Sequence, residues 1–173
     1  MRNLVILFSG RKSNAEQEII EILTLYGANY ISDKAVILDG NGFTVISEYK
    51  KSDVRIKNGV ALFIDDTDRF DGQIFSDGII GICEDTNIKA LNIFEKSGIP
   101  VISCGMNGKN TVTVSSIDNN SALVTVQRNI TDCFGGTVYT GEYIIKLSKK
   151  YSHFGVMAST AVLLLHGITP DKY

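Results

Sequence analysis

Residues 4–27, LVILFSGRKSNAEQEIIEILTLYG, decide the fold class. The run LVILF (4–8) is apolar throughout, without the alternation of a strand that has one wet face. It predicts a strand covered on both sides. Ser9, Gly10, Arg11 and Lys12 break it as a loop. Ser13 stands where a helix N-cap belongs, with Glu16 three residues on, the capping-box pattern. Ile19, Ile20, Ile22, Leu23 and Tyr26 recur at helical spacing, and Gly27 is placed to end the helix. Strand, loop and helix in this order open a βα unit.

Beyond Gly27 the period changes. Residues 35–38, 43–46 and 54–64 are β-rich, and Asp39-Gly40-Asn41-Gly42 between the first two is a hairpin signal. The expectation is a set of partly exposed antiparallel strands. The pattern then returns to α/β. IIGIC (79–83) is a strand, and Asp85 or Thr86 is placed to cap a helix carrying Ile88, Leu91, Ile93 and Phe94. Gly98 and Pro100 stop that helix, and residues 101–104 are the next strand, a spacing that suits a right-handed parallel crossover. Three β-rich segments follow, at 111–117, 122–128 and 137–147. A last helix is expected over about 152–165, with Gly155, Ala158 and Ala161 on one face for close approach to a sheet, and Gly167 ends it. The fold expected is α/β: a mixed, partly parallel sheet flanked by helices in two or three layers, Rossmann-like, with residues 1–173 forming one domain.

Composition narrows the function classes. The chain has 173 residues, 44% hydrophobic and 21% charged, a globular profile that needs no disulfide or metal staple. A net charge of −2 argues against nucleic acid as a partner, and Lys146, Lys149 and Lys150 are too few to change that. The apolar run at the start is shorter than the roughly seven residues of a signal peptide and far below the roughly 18 of a membrane span. The expectation is a cytoplasmic protein with no membrane partner. The three cysteines, Cys83, Cys104 and Cys133, form no Cys-x-x-Cys pair; Cys83 and Cys104 end apolar runs and read as buried small hydrophobes.

The second half resembles the later part of the central domain of Mur ligases, the ATP-dependent amino-acid ligases of peptidoglycan synthesis. The parallels are IIGICEDTNIKALNIFEKSG (79–98), PVISCGMNGKNTVTVSSI (100–117) and YIIKLSKKYSHFGVMASTAVLLLHGI (143–168). The resemblance covers residues 79–168 and rests on element order and short apolar strings. It implies a shared architecture. The family's phosphate loop ends in Gly-Lys-Thr or Gly-Lys-Ser, its N–H groups cradling phosphates and its hydroxyl holding Mg²⁺. Gly105-Met106-Asn107-Gly108-Lys109-Asn110 departs from it: Asn110 replaces the hydroxyl residue, Ser103 stands where the first glycine belongs, and the following TVTV favours a strand over a helix. This stretch therefore reads as a plain turn. Cys83-Glu84-Asp85 and Tyr151-Ser152-His153-Phe154-Gly155 also depart from the family's Asn and paired Asp and from its His-Asn. The resemblance with these departures implies a domain that has lost ligase activity.

The strongest site candidate is the loop of Ser9, Gly10, Arg11, Lys12 and Ser13, because α/β folds bind anions where a first strand meets its helix. The plainer reading is that Ser13 only caps the helix and the two bases are solvated. Asp65, Asp66, Asp68 and Asp71 form an acidic cluster, but the EF-hand spacing is wrong and Asp77 stands where its bidentate Glu would be. His153 and His166 have no triad or metal spacing around them; His166 falls in the last helical turn, where the dipole favours a cation. No catalytic residue, metal ligand or cofactor is assigned from the sequence. The function read from it is a non-catalytic, Mur-ligase-like binding or scaffold protein, with a protein partner or a homo-oligomer. The alternative is a small-molecule or nucleotide-binding protein that holds its anionic ligand on loop 9–13.

Overall fold

The computed structural model describes residues 4–10, 13–48, 56–65 and 68–172. The first strand, β1 (Leu4–Phe8), is buried along nearly its whole length and leads into α1 (Asn14–Leu25). Then follow β2 (Asn29–Ile31), β3 (Val36–Ile37), β4 (Thr44–Glu48), β5 (Gly59–Phe63), a 3-10 turn (Asp68–Phe70) and β6 (Ile79–Glu84). Next come α2 (Ile88–Ser97), β7 (Val101–Cys104), β8 (Val112–Ile117), β9 (Ser121–Val126), β10 (Ile130–Thr131), β11 (Thr137–Val138), β12 (Gly141–Lys146), α3 (His153–Leu165) and β13 (Asp171–Lys172). Eleven strands make one sheet in the order β13-β12-β9-β8-β7-β6-β5-β1-β4-β2-β3, and β10 pairs β11 separately. The run from β8 through β7, β6, β5, β1 and β4 to β2 is parallel; β3, β9, β12 and β13 join antiparallel. The sheet is therefore mixed and mostly parallel, as expected.

Strand alternation builds a different core on each face. Val5 and Leu7 of β1, Val60 and Leu62 of β5 and Ile102 of β7 face α1 and α3 in an aliphatic core. Ile6, Phe8, Ala61, Phe63 and Cys83 point the other way, against α2 and the 3-10 turn. That second face is aromatic: Phe8 stacks on Phe63 with ring centroids 4.7 Å apart, and Phe70, Phe75 and Phe94 meet them edge-on or tilted. Helices on both faces make three layers. In α3 every residue from Phe154 to Leu165 is buried, so the helix lies beneath the surface rather than on it. Gly155 serves packing against α1 as well as the sheet: a Cβ there would come within 2.9 Å of Glu18 Oε2.

Three expectations need correction. Asp39-Gly40-Asn41-Gly42 does not close a hairpin between its flanking segments. The hairpin is β2–β3, turned at Ser32 with Ser32 N–H donating to Ala35 C=O at 2.8 Å, and β4 runs parallel to β1 and β2. The glycines are needed for close approach. Gly42 N–H donates to Gly27 C=O at 2.9 Å, and a Cβ on Gly40 would collide with that same carbonyl. Residues 59–63 are not a partly exposed antiparallel strand. They form β5, wholly buried and parallel between β1 and β6; residues 49–55 lie outside the described residues. The cap of α2 is Asn87, whose side chain accepts from Ala90 N–H at 3.0 Å, rather than Asp85 or Thr86. Ala90, Ile93 and Phe94 are buried on the face toward the sheet, while Ile88, the first helical residue, is 58% exposed.

Candidate functional site at the carboxyl edge of the sheet

From β1 the chain crosses to β2 through α1 on one face; from β6 it crosses to β7 through α2 on the other. The carboxyl ends of β1 and β5 thus lie at a switch point, the place where open α/β sheets bind ligands. Loop 9–13 leaves β1 there. Ser9 and Gly10 are buried, and Gly10 N–H donates to Asp65 Oδ1 at 2.8 Å. Ser13 caps α1, its Oγ accepting from Glu16 N–H at 3.1 Å. Arg11 and Lys12 lie outside the described residues.

The other strand ends are tied to this loop and to each other. Asn87 Nδ2 donates to Asp65 C=O at 3.1 Å while its Oδ1 caps α2. Asn110 Nδ2 donates to Asp85 Oδ2 at 2.7 Å, joining the turn after β7 to the end of β6. Gly105 permits that bond, because a Cβ there would lie 2.6 Å from Asp85 Oδ2. On the far side of β1, Tyr30 OH, Ser47 Oγ and Glu16 form a buried chain, with Ser47 Oγ donating to Glu16 Oε1 at 2.7 Å. Sequence reading named Asp65 only as part of an acidic cluster. It missed Asn87 and Ser47 and met Asn110 only as a departure from the phosphate loop, because no spacing rule links these residues to their partners.

Residues 105–110 form a turn that runs into β8, not into a helix. Its N–H groups therefore have no helix dipole behind them. Of the described acids in the 65–71 segment, Asp65 accepts from Gly10 N–H and Asp68 pairs with Lys89 Nζ at 2.7 Å. Asp66 lies outside the described residues. Among the described residues no three His, Cys, Asp or Glu side chains stand close enough to hold a metal.

Burial disfavours the thiolate form of the cysteines near this edge. Burial, with the nearby Asp85 and Glu84 charges, pushes Cys83 up to about 12, and burial raises Cys104 well above the usual thiol range. Both face the core, as their sequence context indicates. His166 has a structural place, as its sequence context suggests, rather than standing as a helix-end cation. It is 8% exposed and stacks on Phe43 at 4.3 Å, with Nδ1 against Val162 C=O at 2.8 Å. Burial holds its pKa below the usual imidazole range, so the neutral ring is the favoured form.

No family model and no curated protein matches the chain. Solved structures do. MurF from Acinetobacter baumannii aligns with a TM-score of 0.52 at 13% identity, over 96% of this chain and 42% of that one. The UDP-N-acetylmuramate:L-alanyl-gamma-D-glutamyl-meso-diaminopimelate ligase from Neisseria meningitides aligns with a TM-score of 0.49 at 12% identity, over 98% of this chain and 65% of that one. The chain thus spans less than half of the first ligase and just under two thirds of the second. The MurF likeness reaches well beyond residues 79–168, taking in the first βα unit as well. Among the described residues no helix is long and apolar enough to cross a membrane. The architecture is that of a Mur-ligase-like α/β fold.

Proposed function

We propose that the chain is a Mur-ligase-like domain without ligase activity, working in the cytoplasm as a binding or scaffold module. One observation carries this reading: the two described ends of the loop at the switch point are engaged by the protein's own groups. Gly10 N–H, a donor suited to a phosphate oxygen, is given to the Asp65 carboxylate, and the Ser13 hydroxyl is engaged at the start of α1. A fixed carboxylate at that spot also repels an incoming anion. Three free cysteines suit a reducing compartment. The second reading, a nucleotide or other anionic ligand on loop 9–13, draws its support from the loop's place at the switch point.

Thermal unfolding with millimolar ATP–Mg²⁺, ADP or a UDP-sugar decides between them. A ligand at a hundred times its Kd adds about 2.7 kcal/mol, roughly 5–10 °C for a chain of this size. The expected result is no shift with any of the three. A shift of that size with one of them transfers the function to the nucleotide reading.

A further inference from the structure

The sheet lacks a strand at one place, and a cleft of about 510 Å³ lies there. β8 meets β7 only at its first residue, Val112 opposite Cys104. Above that point Gly105 N–H donates to Val112 C=O, and just below it Thr111 N–H donates to Ser103 C=O. Below Ser103, β7 continues down to Val101 with no strand paired to it on that side among the described residues. The next chain across is the segment leaving β9, which bonds to Thr111 through Gln127 N–H at 2.9 Å and then turns down along residues 128–133. In the sheet β9 lies two places from β7, roughly 9.5 Å at ordinary strand spacing. The cleft occupies this interval.

The groups lining the interval are those of an unfinished ladder. Gly81 N–H donates to Pro100 C=O and Asp85 N–H to Cys104 C=O, so even-numbered residues of β7 bond toward β6. Odd-numbered residues face the cleft, as the Thr111 bond to Ser103 C=O confirms. Val101 N–H, Val101 C=O and Ser103 N–H have no partner there among the described residues. The apolar wall comes from Ile80, Ile102, Ile130 and Cys133, which belong to the α3-side core. At the mouth the Arg128 guanidinium donates to Lys109 C=O. The one carboxylate on the lining among the described residues, Asp132, accepts from Phe134 and Gly136 N–H, 2.8 and 2.7 Å away.

We propose that this cleft binds an extended peptide segment of a partner protein, which pairs with the free edge of β7 and completes the sheet below β8. Two outward donors and one acceptor in sequence are what a parallel strand of about three residues requires, and main-chain bonds of this kind supply affinity in strand addition. Alternate side chains of the segment fall on Ile80, Ile102, Ile130 and Cys133, so it carries an apolar residue at every second position. The volume suits roughly four residues and lies within the range of ordinary ligand pockets. The proposal rests on the binding-module reading for its biological sense, but it concerns the opposite edge of the sheet. A nucleotide shift would remove that reading and leave the cleft untouched.

The test is selection from a displayed random heptapeptide library on the full chain. Enriched peptides are then synthesised with acetylated and amidated ends. A selected peptide is expected to slow hydrogen exchange at the Val101 and Ser103 amides at least tenfold. Val101→Pro, which removes one unpaired N–H and no sheet bond, is expected to weaken it at least tenfold with the melting temperature held within about 2 °C. If that variant unfolds, the exchange measurement on the unaltered chain decides alone. No enrichment, or an enriched peptide that leaves exchange at Val101 and Ser103 unchanged, overturns the proposal. So does protection that maps instead to the exposed β3 hairpin.

Discussion

At the carboxyl ends of β1, β5, β6 and β7, Asp65, Asn87, Asp85 and Asn110 bond to the neighbouring loops and to one another. At the amino ends of β6 and β7 lies a cleft, where the outward donor and acceptor of Val101 have no partner among the described residues. α/β folds usually use the first edge for ligands. Here that edge is knit together by polar side chains, and the space lies at the other. The contrast separates architecture from function. A Mur-ligase-like sheet supplies a switch point, but whether it can receive a ligand depends on which groups fill the strand ends.

The largest test of the contrast removes the knot. Asn87 is 5% exposed, caps α2 and donates to Asp65 C=O. Loss of the cap costs about 1 kcal/mol, and loss of a buried bond adds about 1–2 kcal/mol. Asn87→Ala is therefore expected to lower stability by roughly 2–3 kcal/mol, or roughly 5–10 °C in melting temperature. Denaturant unfolding checks it. A loss below about 0.5 kcal/mol, the level of an ordinary surface change, would show that the carboxyl edge is not held by these bonds.

Much of the fold was legible in the chain because local signals agreed with tertiary demands. In residues 4–27 the apolar run, the Ser13 cap and the Gly27 stop all describe what forms. Where one residue type serves two purposes the reading failed. Gly40 and Gly42 look like a hairpin turn, yet their missing side chains let the chain pass Gly27. Burial on both faces made β5 central, a fact set by its neighbours β1 and β6 rather than by its own residues. The candidate loop does follow β1 directly, but its link to Asp65 spans 55 residues and no spacing rule reaches it. The cleft was illegible for a stronger reason. It depends on β8 starting only at Val112, one residue after the turn, so that β7 outlasts its neighbour.

At the amino edge, His166 gives a second and smaller test. Its ring is buried against Phe43, the residue just before β4, and burial lowers its folded pKa below the ordinary imidazole value of about 6.5. The unfolded chain then binds the proton more readily than the folded one. Stability from the neutral ring is complete above the unfolded value of about 6.5 and is lost as pH falls below it toward the folded pKa. Melting temperature is expected to drop between pH 7.5 and pH 5. His166→Gln removes this group's share: the variant starts less stable, having lost the Phe43 stack, but falls less over the same interval. Parallel curves for the two proteins would show that the ring is not buried as neutral imidazole, and the packing at this edge would need redrawing.

The smallest effect changes no stability and measures the contrast most directly. Three thiols sample the molecule: Cys83 and Cys104 are fully buried near the carboxyl edge, while Cys133 is half-buried on the wall of the cleft. Burial raises all three, Cys133 to about 11 and Cys83 to about 12, so the reactive thiolate is scarce at each. Access then sets the order of reaction. With iodoacetamide at pH 8, followed by mass spectrometry of the peptides, Cys133 is expected to react slowly but well before the other two, whose alkylation waits for the chain to open. Equal rates at all three would mean that the cleft does not admit even a small reagent. Fast reaction at Cys104 would mean that the knit edge opens more readily than the gap between β7 and residues 128–133, reversing the assignment of which end of the sheet is closed.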